Sequence, residues 1–318
     1  MVWKEVHAEP GLRLHWFGRI IIVLLVLGSF VPAVYILDYA LAGWGWWRDD
    51  LANVLAASMG LWGRITGAIV GTLLLIGVAV RAAGSITGER DKQTLDSLLT
   101  SPLDSNDILF GKWLGSVLCM RRGWIWLGAI YLLTFVCGGV NFVGLILVAA
   151  AWLLFASIVA LIGLWASSIS RSTMRATVLT LVTVVLGGGG HWLLWVCCIP
   201  CLWNTGDPRS LESVLQFQAF ALTPPITLGQ LAFRAEELEH SYGSWSPATN
   251  FGMAMIGLFI WCCVFCVLWG AVSKRLRAVT MRTGVMEHEE WVPPLRAPAR
   301  KVSSDTHIVR AEEFREEK

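Results

Sequence analysis

A series of apolar runs, each long enough or nearly long enough to cross a bilayer, constrains this chain more than any other feature. Six are legible: Ile20–Leu37, Ile65–Val80, Gly123–Val136, Val143–Ile169, Ala176–Pro200 and Phe251–Val272. A helix needs roughly 20 apolar residues to span the hydrocarbon core. The charge content agrees, since only 15% of the 318 residues are Asp, Glu, Lys or Arg, against about a quarter in a soluble domain. The expected fold class is therefore all-α, a polytopic membrane protein with six transmembrane helices. The third run is short. Arg121–Arg122 cuts into an apolar stretch that begins at Ile108. Either these arginines snorkel at the inner interface, or Ile108–Met120 is a separate interfacial piece, the reading preferred here.

Orientation follows from the basic residues, which concentrate on the cytoplasmic side of membrane proteins. With the N-terminus inside, only Arg48, Arg64, Arg209 and Arg234 of the 25 Lys and Arg fall on the outer side. Both termini are expected in the cytoplasm, with the chain in the plasma membrane. Tryptophans near the expected span ends, such as Trp44, Trp46, Trp47 and Trp62, suit the headgroup level. No cleavable leader is expected, because Met1–His15 mixes charged and apolar residues and no small-residue cleavage site follows the first run. A net charge of +2 is too small to imply a nucleic-acid partner.

Three regions result. Residues 1–19 read as an amphipathic helix interrupted at Pro10–Gly11. Residues 20–272 form the membrane domain, with an inner loop over 81–122 and an outer loop over 201–250. Residues 273–318 form a charged tail, opened by Lys274, Arg275 and Arg277, whose proline-rich end reads as solvated.

Within the spans, Gly63, Gly67 and Gly71 recur at spacing four and make one stripe of small residues, a seam where another helix can approach closely. A seam within the chain is preferred to a dimer seam. Gly187–Gly188–Gly189–Gly190 precedes His191. Four glycines each weaken a helix by roughly 1 kcal/mol relative to alanine. A kink, an unwound turn or a hinge is expected there, with His191 either lining a pathway or meeting water in the outer leaflet. Cys197-Cys198-x-x-Cys201 and Cys262-Cys263-x-x-Cys266 repeat one spacing. Their offset in depth, on the order of 15 Å, argues against a shared metal site.

The most informative stretch is the inner loop between the second and third spans. A charged helix opens it, with Glu89, Arg90, Asp91 and Lys92. Leu95, Leu98 and Leu99 then recur at spacings of three and four and form one apolar face. Pro102 disfavours helix in the residue before it. Ser105 or Asn106 could cap a second helix running toward Lys112. A short amphipathic helix beneath the bilayer suits a partner's groove; on physics alone it could equally rest on lipid headgroups.

The order Glu-Arg-x-x-x-Thr-Leu-x-x-Leu-Leu-x-Ser-Pro-Leu over Glu89–Leu103, then Ile-Leu-x-Gly-Lys over Ile108–Lys112, closely resembles the loop after the second helix of ABC-2 type transporter permeases. Gly163–Ala176, with its Ser167–Ser168 pair and basic turn, resembles that family's passage between the fourth and fifth helices. Arg121–Arg122 and the four-glycine run depart from the family's pattern. The resemblance implies the membrane subunit of an ATP-driven transporter, an exporter, paired with a second permease copy or homologue and seated on a separate cytoplasmic ATP-binding subunit. It implies a coupling helix in the loop, with Thr94 among its contact residues: Glu89, Arg90 and Lys92 in charged contact with that subunit, Leu95, Leu98 and Leu99 as its apolar anchor, and Thr100, Pro102 and Leu103 in the turn.

No cofactor is expected in this chain, and ATP and Mg belong to the partner. Gly111–Lys112 is the nearest fragment of a phosphate-binding loop, but Asn106 stands where an earlier glycine is needed and Trp113 where a hydroxyl is needed. Two other classes compete: a membrane assembly or sensor component that recruits a partner through the same loop, and an ion-driven secondary transporter. The latter usually carries membrane-embedded carboxylates, and the six runs contain none.

Overall fold

The computed structural model describes residues 16–42, 48–91, 105–203, 208–232 and 247–285. Among these the helices are α1 (Trp16–Ala42), α2 (Arg48–Asp91), α3 (Ser105–Leu118), α4 (Arg121–Val136), α5 (Phe142–Ile169), α6 (Thr173–Trp203), α7 (Pro208–Phe217), α8 (Pro224–Leu231) and α9 (Pro247–Val285). A π turn, Gln218–Leu222, joins α7 toward α8. No strand occurs among the described residues. Where no water reaches the backbone, each N–H must find its partner inside its own segment, and helix satisfies that requirement.

Five helices are long and apolar enough to cross a membrane: Ile20–Ala42, Ala52–Asp91, Phe142–Ile169, Thr173–Leu193 and Ala248–Ala278. They differ in burial. Over its most apolar window α5 is 56% buried inside the protein, against 6% for α1 and 11% for α6 and α9. The centre of the molecule is therefore α5 with α2, and the other spans turn most of their apolar surface outward.

One expectation about helix ends changes. α2 is one unbroken helix of 44 residues, not a span followed by a separate charged helix. At 1.5 Å per residue it is about 66 Å long, roughly twice the hydrocarbon thickness, so it projects beyond it. Arg48 to Asp91 contains no proline, and nothing in that stretch forces a break. In the third run, α3 is a helix of its own, as preferred above; it runs antiparallel along α2 and hands over to α4. Lys112 reaches Ser85 and Glu89. Met120 packs on Gly77, Gly123 faces the Leu74 side chain, Gly67 backs onto Tyr131, and Gly60 meets Gly139.

The handover falls at Cys119–Met120, where Met120 adopts φ −90° and ψ 22°. The Trp124 indole donates to the Val117 carbonyl at 2.9 Å, satisfying an acceptor that the end of α3 leaves open. Arg121 and Arg122 are the first residues of α4 and are exposed.

Gly63, Gly67 and Gly71 lie on an internal seam. Their open faces receive Thr134 and Tyr131 of α4 and the Trp152 ring of α5. α4 ends on Gly138, whose φ of +74° is left-handed backbone open to glycine at little cost. The N–H groups of Gly138 and Gly139 donate to the carbonyls of Phe135 and Thr134 at 2.9 and 2.8 Å, the glycine-closed helix end known as a Schellman motif. α1 joins through Ser29, whose carbonyl accepts the Trp62 indole and whose Oγ accepts the Trp126 indole, both at 3.1 Å. α9 packs on α5 through the edge-to-face pair Phe155–Trp261, with centroids 5.6 Å apart.

Candidate functional site: a buried polar clasp

Glu89 and Lys112 stand on either side of residues 92–104, one at the end of α2 and the other within α3. Lys112 Nζ lies 2.9 Å from Glu89 Oε1 and donates to the Ser85 carbonyl at 3.1 Å. Their side chains are 2% and 4% exposed. The walls are apolar: Ile86, Ile108, Leu109, Leu161, Leu164, Val272 and Leu276 form one buried cluster. Trp113 and Trp269 meet edge to face beside it, centroids 5.7 Å apart. Such a pair adds little net stability over an apolar filling, but removing one partner leaves an uncompensated buried charge.

A second set of contacts ties the same end of α2 to the α5–α6 turn. Ser167 Oγ accepts the N–H groups of Ile86 and Thr87 at 3.1 and 3.0 Å. The Ser85 and Thr87 hydroxyls donate to the carbonyls of Ala82 and Ala83. Arg90 Nη1 donates to the Ser170 carbonyl at 3.0 Å, and Thr173 Oγ1 to Asp91 Oδ2 at 2.8 Å. Arg277 of α9 reaches Asn106 Oδ1 of α3 at 3.3 Å. The stretch from Glu89 and the stretch from Gly163, far apart in sequence, thus lie against each other.

Glu89, read as a charge displayed to a partner, is turned inward to Lys112, because a carboxylate on the packed face of α2 needs a cation beside it. Arg90 is half-buried on Ser170. Lys92, Thr94, Leu95, Leu98, Leu99, Thr100, Pro102 and Leu103 lie outside the described residues. Lys112 is the residue that sequence reasoning passed over. A signal existed: it sits between Ile108–Leu109–Phe110 and Trp113–Leu114, and a lysine in so apolar a helix requires an acidic or carbonyl partner.

The four-glycine run is helical throughout, so the expected unwound turn is absent. Unwinding would strip backbone groups of their partners at membrane depth, a larger cost than glycine's weak helix propensity. His191 Nε2 lies 3.1 Å from Thr223 Oγ1, which also accepts the Trp192 indole at 3.0 Å and donates to the Gln218 carbonyl at 3.1 Å. A hydroxyl has one proton; with that proton on Gln218, His191 Nε2 is the donor to Thr223. A Cβ at Gly187 or Gly189 would meet nothing within 4 Å. Gly187→Ala and Gly189→Ala are therefore expected to leave thermal stability in detergent unchanged or to raise it, by up to about 1 kcal/mol each. A lower melting temperature contradicts this.

The model of the family described as ABC-2 family transporter protein matches residues 2–191. The chain belongs to this family. A search of curated proteins returned no match. The matched range takes in every clasp residue except Trp269, Val272, Leu276 and Arg277 of α9 and ends at His191. This ABC-2 protein is thus a multi-pass membrane protein of a transport family, built from apolar helices. The two stretches that resemble the family's permeases are the two that the clasp joins.

Proposed function

We propose that this ABC-2 protein is the permease subunit of an ATP-driven exporter, working with a separate cytoplasmic ATP-binding subunit and a second permease copy or homologue. The observation that supports this is the Glu89–Lys112 pair. It joins the two helices that flank residues 92–104, so a displacement of that segment moves α2 and α3 together. Ser167 and Ser170 then carry the motion to α5 and α6. In this reading residues 92–104 are the coupling helix, with Arg90 and Lys92 as its charge, Leu95, Leu98 and Leu99 as its apolar anchor, and Thr100–Leu103 as its turn. Glu89 serves as the internal tie and not as a docking charge. ATP and Mg reside in the partner.

The chain makes six crossings of the plasma membrane, the third built from α3 and α4 in series, and both termini are cytoplasmic. The run Gly187–Gly190 with His191 is a bending point beside the path. The test is the pair Leu98→Asp and Leu99→Asp in the full chain. Co-purification with the ATP-binding subunit and ATP-dependent transport are expected to be lost, while membrane insertion and melting temperature stay as in the parent. Retained association together with retained transport overturns the reading.

A further inference from the structure

Arg121 and Arg122 open α4 with both side chains exposed, and among the described residues neither has a hydrogen-bond or ion-pair partner. Their depth makes this consequential. Met120 packs on Gly77 and Gly123 faces Leu74, so the arginines stand level with that part of α2. On α5, Trp152 meets Gly71 and Gly163 meets Ala82, which puts the same level near Phe155–Ile158. That is the middle of a 28-residue helix without a charged residue. From there to Arg171 is about 20 Å at 1.5 Å per residue, and Arg81 of α2, the nearer charge on the inner side, is about 6–10 Å away. An arginine inside the bilayer is costly, and such residues mark polar pathways or partners.

The surface around the pair is apolar. Leu118, Ile125, Leu132 and Val136 are 40%, 70%, 57% and 74% exposed. Along α4, spacings of three, four and seven put Ile125, Leu132 and Val136 on the same side as the arginines, and Gly128 among them leaves open space. The inner part of α1 does not cover much: Ile20 through Leu25 are each at least 37% exposed.

We propose that Arg121 and Arg122 hold, within the depth of the bilayer, the anionic headgroup of an amphipathic molecule whose tail lies along Leu118, Ile125 and Leu132. Two adjacent guanidinium groups match a phosphate or carboxylate, each able to bond it through two parallel N–H donors. The apolar stripe matches an acyl chain and offers nothing to a fully polar anion. The inference rests on the crossing assigned to α3 and α4 and is independent of coupling to ATP.

The experiment uses the full chain in phosphatidylcholine nanodiscs, with energy transfer from its tryptophans to pyrene-labelled phosphatidic acid, pyrene-labelled fatty acid or pyrene-labelled phosphatidylcholine. The expected result is preference for one or both anionic probes over the neutral one. Binding should weaken at least tenfold in Arg121→Gln/Arg122→Gln and persist in Arg121→Lys/Arg122→Lys. It should be unchanged in Arg171→Gln/Arg175→Gln, at the α5–α6 turn. Phosphatidic acid alone identifies a phosphate site and fatty acid alone a carboxylate site.

No preference in the parent protein overturns the proposal, and that result does not depend on any variant folding. Undiminished binding in the glutamine variant, or an equal loss in the Arg171/Arg175 variant, overturns it as well. Displacement by millimolar inorganic phosphate would make the site one for soluble anions and overturn the amphiphile. A spin label on Gly128→Cys, read against the unsubstituted chain, reports depth separately. A fully aqueous signal there would sink the crossing itself, whatever the probes do.

Discussion

Exchanging Lys112 for methionine is expected to destabilise this ABC-2 protein by about 3–5 kcal/mol, the cost of leaving one member of a buried ion pair without its partner. Glu89 is 4% exposed and is walled by Ile86, Ile108, Leu109, Leu161 and Leu164. Once the ammonium is gone its carboxylate must stay charged in an apolar pocket, take up a proton, or pull the end of α2 out of its packing. The double variant Lys112→Met/Glu89→Gln should recover most of the loss, because replacing both charges removes the desolvation cost along with the attraction. Thermal unfolding in a mild detergent measures both. A single variant within about 1 kcal/mol of the parent would mean that the pair does not carry a buried charge. Failure of the double variant to recover would mean that packing of the lysine stem matters more than charge.

The second large effect is expected from Gly163→Val on α5. A Cβ there would come within 2.6 Å of the Ala82 Cβ, 2.9 Å of the Ala83 N and 3.1 Å of the Ala79 carbonyl oxygen. Two of these atoms belong to the α2 backbone and cannot rotate away. The helices must separate, and one turn farther along Ser167 then loses the N–H groups of Ile86 and Thr87. Overpacking costs about 1–3 kcal/mol, and each lost hydrogen bond about 1, for an expected total of about 3 kcal/mol or more. Two comparisons make the result diagnostic. Gly128→Val, where a Cβ meets nothing within 4 Å, should have little effect. Ser167→Ala should cost stability in the parent and almost nothing further in the Gly163→Val background, since neighbouring changes that break one contact do not add. Full additivity would show that Gly163 and Ser167 act independently.

Much of this molecule is readable from residue order. The apolar runs at Ile20, Ile65, Val143, Ala176 and Phe251 each correspond to a helix long enough to span, because uninterrupted apolar length is itself the physical requirement. The stripe Gly63, Gly67, Gly71 is likewise readable as a seam, since only residues without bulk let two helices meet. What sits in the seam is not readable: Thr134, Tyr131 and Trp152 are distant in sequence and unremarkable in type.

The third apolar run marks the boundary most clearly. Arg121–Arg122 splits an apolar stretch, and charge alone argues for a membrane edge there. The register of α3 and α4 along α2, from Lys112 beside Glu89 to Gly139 beside Gly60, puts the arginines level with Leu74–Gly77, inside the apolar run of α2, instead. A local pattern reports how polar a residue is, not which neighbours fix its height. The four-glycine run shows the converse. Its propensity argues for a break, and the backbone's need for internal partners keeps it helical.

Apolar length alone determined that the chain is helical and membrane-spanning, and its motifs determined the resemblance to the ABC-2 family, because those properties belong to contiguous residues. Tertiary structure decided the rest. It turned Glu89 away from the surface and onto Lys112, brought the Gly163–Ala176 stretch onto the end of α2, and set Arg121 and Arg122 level with Leu74–Gly77. Each depends on which helix faces meet and at what register, and that choice is made by contacts between residues too far apart in the chain for any local period to record.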